Sequence, residues 1–226
     1  MLSRATRYFP ILEELSHHAG RNSRVLDIGS GALGAGEFLK TPFVGCDISF
    51  TSRPAKSMMP VLSSALQLPF ADRSFDVVIA SDVMEHVPPE QRERLIAEAL
   101  RVTRTAALFG FPCGHEAFLL DHKLFAEYQA RGMPVPIWLE EHMRHPFPES
   151  QLFAFVPRGW QLVSKANESL RFHYWLMCRE MWRPWRYAFR LALLAVPGAV
   201  RRILRRFDEE PSYRRIFVLV REESIA

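Results

Sequence analysis

The run from Arg24 to Ser49 constrains this chain more than any other segment: RVLDIGSGALGAGEFL is followed by FVGCDIS. Val25, Leu26 and Ile28 make a short apolar strand. Gly29, Gly31 and Gly34 then allow a tight turn and a close approach of backbone to ligand. Asp47 closes the next strand, one right-handed crossover later, where a carboxylate reaches the ribose hydroxyls of a nucleoside lying over the glycine turn. The pattern calls for an α/β fold and a nucleotide-like cofactor.

Gly29, Gly31 and Gly34 also satisfy the dinucleotide fingerprint GxGxxG, which keeps a nicotinamide-dependent oxidoreductase as an alternative. Asp27 argues against it. A dinucleotide rests its pyrophosphate on the helix N-terminus beside the turn, and a carboxylate two residues before the first glycine repels that anion. The same carboxylate suits a cationic ligand without phosphate, such as S-adenosylmethionine with its sulfonium and ammonium.

VLDIGSG resembles motif I of the class I S-adenosylmethionine-dependent methyltransferases, and GCDIS resembles their motif II. Residues 63–87, SSALQLPFADRSFDVVIASDVMEHV, resemble the type 11 branch that includes quinone-biosynthesis methyltransferases: LPF, a short acidic turn, SFD, a buried strand, then an acid and EHV. The resemblance spans Val25 to Phe111. It implies a Rossmann-like fold, a seven-stranded and mostly parallel sheet with helices on both faces. It implies S-adenosylmethionine as cofactor, held by Asp27, Gly29, Ser30, Gly31, Asp47, Ile48, Ser64, Ala65, Leu66 and Asp82, with Asp82 and His86 as the catalytic pair. Two positions depart from the family: Leu33 stands where a third glycine is common, with Gly34 supplied instead. Ser64 replaces the acid that often meets the adenine amino group.

The remaining elements follow from pattern. Tyr8–His18 reads as an entry helix, Glu37–Lys40 as the start of a short helix, and Val44–Asp47 and Val61–Ala65 as strands two and three. Phe75–Ala80, apolar apart from Asp76, fits a central parallel strand. Pro88 and Pro89 open a helix reaching Thr103. Ala106–Phe111, Trp160–Ala166 and Arg214–Arg221 complete the sheet. One domain is expected, its core at 20–170 plus 213–222 and a helical insertion at 171–212 before the last strand. The segment 114–157, with His115, His122, His142, His145, Trp138, Phe147 and Phe153, is the expected acceptor wall.

Between Arg179 and Phe207 eight arginines face one acid, Glu180, a local balance of +7; with +4 overall, the rest of the chain carries −3. The basic character therefore belongs to one segment and is no general nucleic-acid signature. Nor is there an asparagine-proline-proline-aromatic motif. Val200, Ile203, Leu204 and Phe207 share one helical face, with Arg201, Arg202, Arg205 and Arg206 opposite. Leu191–Val200 is interrupted by Pro197 and Gly198 and is too short to span a bilayer, which needs about 20 apolar residues. Either an anionic membrane surface met by residues 179–207 or a packing face, including a homodimer, is expected there. The N-terminus has no signal-peptide pattern, and Cys46, Cys113 and Cys178 are odd in number and scattered, so a cytoplasmic protein is expected, at the inner membrane face if the basic segment docks.

The acceptor is expected to be a small or lipid-linked molecule methylated at oxygen, with His86 as base because its pKa lies near neutrality. Asp82, Glu85 and His86, with His115 or His142, also have metal-ligand chemistry, although no metal is expected. A non-catalytic binding protein on the same scaffold is the remaining alternative.

Overall fold

Thirteen positions from Phe75 to Val102 turn apolar side chains to the interior, ten of them on one strand and one helix and three in the connection between. 

Eleven of them are buried outright, Met84 of the connection included, and Val83 and Val87, beside it, are partly buried against the core. The computed structural model of the chain describes residues 2–154 and 156–222. Its strands are β1 (Val25–Ile28), β2 (Phe43–Asp47), β3 (Met58–Leu62), β4 (Phe75–Ser81), β5 (Thr103–Pro112), β6 (Trp160–Ser169) and β7 (Ser212–Arg221). They form one sheet in the order β3-β2-β1-β4-β5-β7-β6. The first five run parallel, and β7 lies antiparallel between β5 and β6.

Both faces of the sheet are covered. Helix α1 (Leu2–His18) sets Tyr8, Ile11 and Leu15 against Val77, Ile79 and Leu108 on one side. Helix α2 (Arg92–Val102) sets Leu95, Ile96, Ala99 and Leu100 against Val78, Ala80 and Phe109 on the other, the helical spacing matching the apolar stripe. Helices α3 (His115–Ala130) and α4 (Ile137–His142) follow β5. Between β6 and β7 the chain forms α5 (Leu170–Glu180), α6 (Arg183–Ala195) and α7 (Pro197–Leu204), so the stretch expected at 171–212 is helical.

Three local expectations are corrected. Helix α1 begins at Leu2, well before Tyr8, and continues through Pro10. Proline cannot donate to the carbonyl four residues back, that of Thr6, and Asn167 Nδ2 donates to it instead at 3.3 Å. The crossover after β1 holds only a single tight turn, Gly34–Glu37, in place of a helix beginning at Glu37. Strand β3 spans Met58–Leu62 and not Val61–Ala65. It is an edge strand, where Pro60 is tolerated because its missing donor can face outward, and Ser63–Leu66 are thereby freed to form a loop.

Candidate active site

The carboxyl ends of β1, β2 and β4 and the loop after β3 surround a cavity of about 660 Å³. At its floor the turn after β1 is held from behind: the N–H groups of Gly29 and Ser30 both donate to the carbonyl of Cys46. Gly31 N–H donates to Asp47 Oδ2 at 2.7 Å, and Ser49 N–H donates to Oδ1 at 3.1 Å. Each carboxylate oxygen keeps a further lone pair for a ligand hydroxyl. Gly31 has a φ of +52°, and a Cβ there would meet nothing within 4 Å. That free space beside the backbone, together with Asp47, is what a nucleoside lying over the turn requires, so these residues fit S-adenosylmethionine.

Of the residues expected to hold the cofactor, Gly29, Ser30, Gly31, Asp47, Ile48, Ser64, Ala65, Leu66 and Asp82 all line this cavity. Asp27 does not. It is buried beneath the turn, where Oδ2 accepts the Ala35 N–H at 2.8 Å and Oδ1 has no hydrogen-bond partner among the described residues. Burial pushes its carboxyl up to about 7, and nearby Asp47 adds to that against the opposing Ala35 bond. Its visible work is to brace the glycine turn from below.

Asp82, at the end of β4, has a φ of +51°, a conformation that non-glycine residues rarely adopt. Its N–H donates to the carbonyl of Gly110 at 2.7 Å. Arg214 donates through Nε and Nη2 to its two oxygens, each at 2.9 Å, and Arg7 Nε lies 2.5 Å from Oδ2. Burial alone would raise this carboxyl, but the two guanidinium groups hold it below the usual carboxylate range. Asp82 is thus a fixed anion that positions its surroundings and is poorly suited to accept a proton.

A second cavity of about 490 Å³ adjoins the first and shares Arg4, Arg7, Asp82 and His86 with it. His86 is one-third exposed, with Nδ1 3.6 Å from Glu141 Oε2. Burial lowers its pKa against the opposing pull of Glu141 and Asp82, leaving a neutral imidazole at neutral pH. It stands where a proton acceptor between the two cavities would be needed.

Behind the second cavity, charges alternate through the interior: Asp121, His173, Glu168, Arg214, Asp82, Arg7. His142 Nδ1 lies 2.6 Å from Asp121 Oδ2, and Tyr213 donates to the same oxygen at 2.9 Å. Burial would raise Asp121, but the hydrogen bond with His142 and the nearby His173 ring hold it down at about 2. Of the acceptor wall expected at 114–157, Trp138 and His142 reach this cavity. His115 and His122 are exposed, and Phe147 and Phe153 are buried.

Arg7, Asp121, Glu168, His173, Tyr213 and Arg214 were not singled out by sequence. Nothing local marks them, because they meet only through the order of the strands and the packing of α1, α3 and α5. Glu85 is wholly buried and neither oxygen has a hydrogen-bond partner among the described residues, with His142 Nε2 3.8 Å and His86 Nε2 4.0 Å from Oε1; burial, then the charge of Asp82, pushes it up to about 8. Glu85, His86 and His142 offer three ligand atoms within 4.8 Å of one another. Those three could hold a metal ion. Asp82, the other acid of the DxxEH pattern, is occupied by arginines.

Residues 26–111 match the model of the family described as "methyltransferase domain". An uncharacterized methyltransferase of Mycobacterium tuberculosis is 45% identical over 60 residues, which cover 26% of this chain and 22% of that protein. The match therefore takes in less than a quarter of that relative. Among solved structures, a phosphoethanolamine N-methyltransferase of Haemonchus contortus, in complex with phosphomonomethylethanolamine and S-adenosylhomocysteine, superimposes with a TM-score of 0.57 at 15% identity, over 95% of this chain and 53% of that one. The [4+2]-cyclase SpnF superimposes with a TM-score of 0.56 at 17% identity, over 96% and 81%. These two likenesses concern the fold.

The sheet order, the glycine turn and the cavity beside it define a class I methyltransferase fold. Over residues 26–111, less than half of the chain, the sequence matches the methyltransferase-domain family, and the residues around the glycine turn fit S-adenosylmethionine as cofactor.

Proposed function

We propose that the chain is an S-adenosylmethionine-dependent methyltransferase that methylates a small or lipid-linked acceptor at oxygen. The observation that carries this reading is the junction of the two cavities at Arg7, Asp82 and His86. When bound, S-adenosylmethionine supplies a methyl group on an electron-poor sulfonium.

The chain's own residues have modest tasks, because an in-line displacement depends chiefly on alignment and exclusion of water. Asp47 and the Gly29–Gly31 turn hold the nucleoside end, and Ser64, Ala65 and Leu66 form the wall expected beside the adenine. Asp82, locked by Arg7 and Arg214, fixes the boundary between donor and acceptor. His86 Nε2 or Nδ1 takes the hydroxyl proton of the acceptor, and its lowered pKa keeps it free to do so at neutral pH. Arg4 and Arg7 at the second cavity are paired with Glu37 and Asp82, whereas Arg186 there makes no ion pair among the described residues and favours an acceptor carrying negative charge. A cytoplasmic protein working at a membrane face accords with such an acceptor.

Incubation with methyl-labelled cofactor and a mixed extract of small molecules and lipids tests the reading. Label is expected in a small or lipid-soluble product, with incorporation falling at least tenfold in His86→Asn, the order expected for removing a general base. Label in nucleic acid, or undiminished incorporation in that variant, would count against it.

A further inference from the structure

Helix α6 lies on the surface with no buried residue, although it is rich in large apolar side chains. Tyr187, Leu191 and Leu194 recur at helical spacing on its outer side, with Tyr187 64% and Leu194 71% exposed. Trp182, Val196 and Ile203 are also exposed beside them. Arg183 and Arg190 fall on the same side of the helix, four residues before Tyr187 and Leu194. Among the described residues Arg183, Arg190, Arg202 and Arg206 make no ion pair, whereas Arg201 and Arg205 are both bound to Glu13. Adjoining this surface, a groove of about 640 Å³ runs between α5, α6 and α7, lined by Phe172, Trp175, Phe189, Ile203 and Phe207.

We infer that α6 and α7 dock in the headgroup plane of an anionic phospholipid bilayer. Aromatic and aliphatic side chains interleaved with unpaired arginines suit that plane, where rings and arginine stems sit among acyl carbons and guanidinium groups meet lipid phosphates. A second copy of the chain suits it poorly. No acid lies between Met181 and Phe207, so a two-fold contact through this face would set arginine against arginine. Insertion across the membrane is also disfavoured, since no helix among the described residues is long and apolar enough to cross one. Arg186, on the same helix, lines the acceptor cavity, so docking brings that cavity to headgroup level. This last step alone rests on the acceptor reading above; the docking does not.

Co-sedimentation with vesicles of phosphatidylglycerol and phosphatidylcholine, and with phosphatidylcholine alone, tests the docking. Wild-type protein is expected to pellet with the anionic vesicles and to be released by salt. The combined change Arg183→Gln, Arg190→Gln, Arg202→Gln and Arg206→Gln is expected to weaken binding roughly tenfold or more, and Tyr187→Ser with Leu194→Ser to weaken it as well. These side chains are exposed, so an unchanged thermal unfolding midpoint is expected to accompany both losses. Failure of the wild type to pellet, equal binding by the arginine variant, or a wild-type dimer that Leu194→Ser dissociates without any vesicle binding would each overturn the inference.

Discussion

Arg214 of β7 and Asp82, the residue just after β4, clasp each other through two hydrogen bonds of 2.9 Å across the intervening strand β5. Both side chains are buried, and the same guanidinium donates to Glu168 at 2.8 Å. Asp82 and Glu168 both have positive φ, 51° and 61°, so the arginine holds two strained carboxylate-bearing residues in place. The last strand is in this way a working part of the site.

Removing the arginine leaves two buried carboxylates short of a counter-charge. Arg214→Met is expected to destabilise the protein by about 3–5 kcal/mol, the range for breaking a buried ion pair from one side. Urea unfolding measures it. Asp82→Asn combined with Arg214→Met is expected to cost less than the sum of the two single changes.

Glu85 makes stability depend on pH in the direction opposite to an ordinary paired carboxylate. Its carboxyl is raised from 4.5 to about 8 in the folded chain. Between those values the folded state binds more protons than the unfolded one, so stability falls as pH rises through the window, by up to about 1.4 kcal/mol per pH unit. Below it the penalty is absent. Glu85→Gln removes this contribution, and urea unfolding at pH 5 and pH 8 should show a smaller loss of stability with rising pH than in wild type; an equal loss in both would contradict it.

Asp47 both fastens the turn and faces the cavity. Asp47→Ala removes a charged acceptor from Gly31 N–H and from any ribose hydroxyl, worth about 1.5–3 kcal/mol for a hydrogen bond to a charged group. Titration with S-adenosylhomocysteine is expected to show binding weakened by roughly tenfold to a hundredfold.

Gly34 has a φ of +48°, and a Cβ there would lie 2.4 Å from Asp27 Oδ2 and 2.9 Å from Ser30 Cβ. Gly34→Ala is expected to cost more than the 1 kcal/mol or so of an ordinary left-handed alanine and to weaken product binding by deforming the turn. Gly198→Ala, in α7 with open space around it, serves as the control and should be near neutral or stabilising.

Much of this architecture was legible. The glycine turn, Asp47 and the β4 segment each announce themselves through runs of residues close in sequence, and the helix after Pro89 shows its apolar stripe. β3 lies three residues earlier than expected, at Met58–Leu62, and it is an edge strand that admits Pro60. Asp27 was legible as a carboxylate but not as one hidden beneath the turn, since the burial of Ala35 and Ser30 around it is a tertiary fact. The alternating charges from Asp121 to Arg7 join residues separated by more than a hundred positions, such as Arg214 and Asp82. No local pattern encodes such a meeting. Which helices cover β7 and β5 decides it.

The central claim is that the cavity over Gly29, Gly31 and Asp47 binds S-adenosylmethionine. Calorimetric titration of the wild-type chain with S-adenosylhomocysteine tests it most directly. Saturable binding at one site per chain is expected, weakened by Asp47→Ala and unaffected by added reduced nicotinamide dinucleotide. Absence of binding to S-adenosylhomocysteine and S-adenosylmethionine alike, or enhanced nicotinamide fluorescence on mixing with the protein, would contradict it.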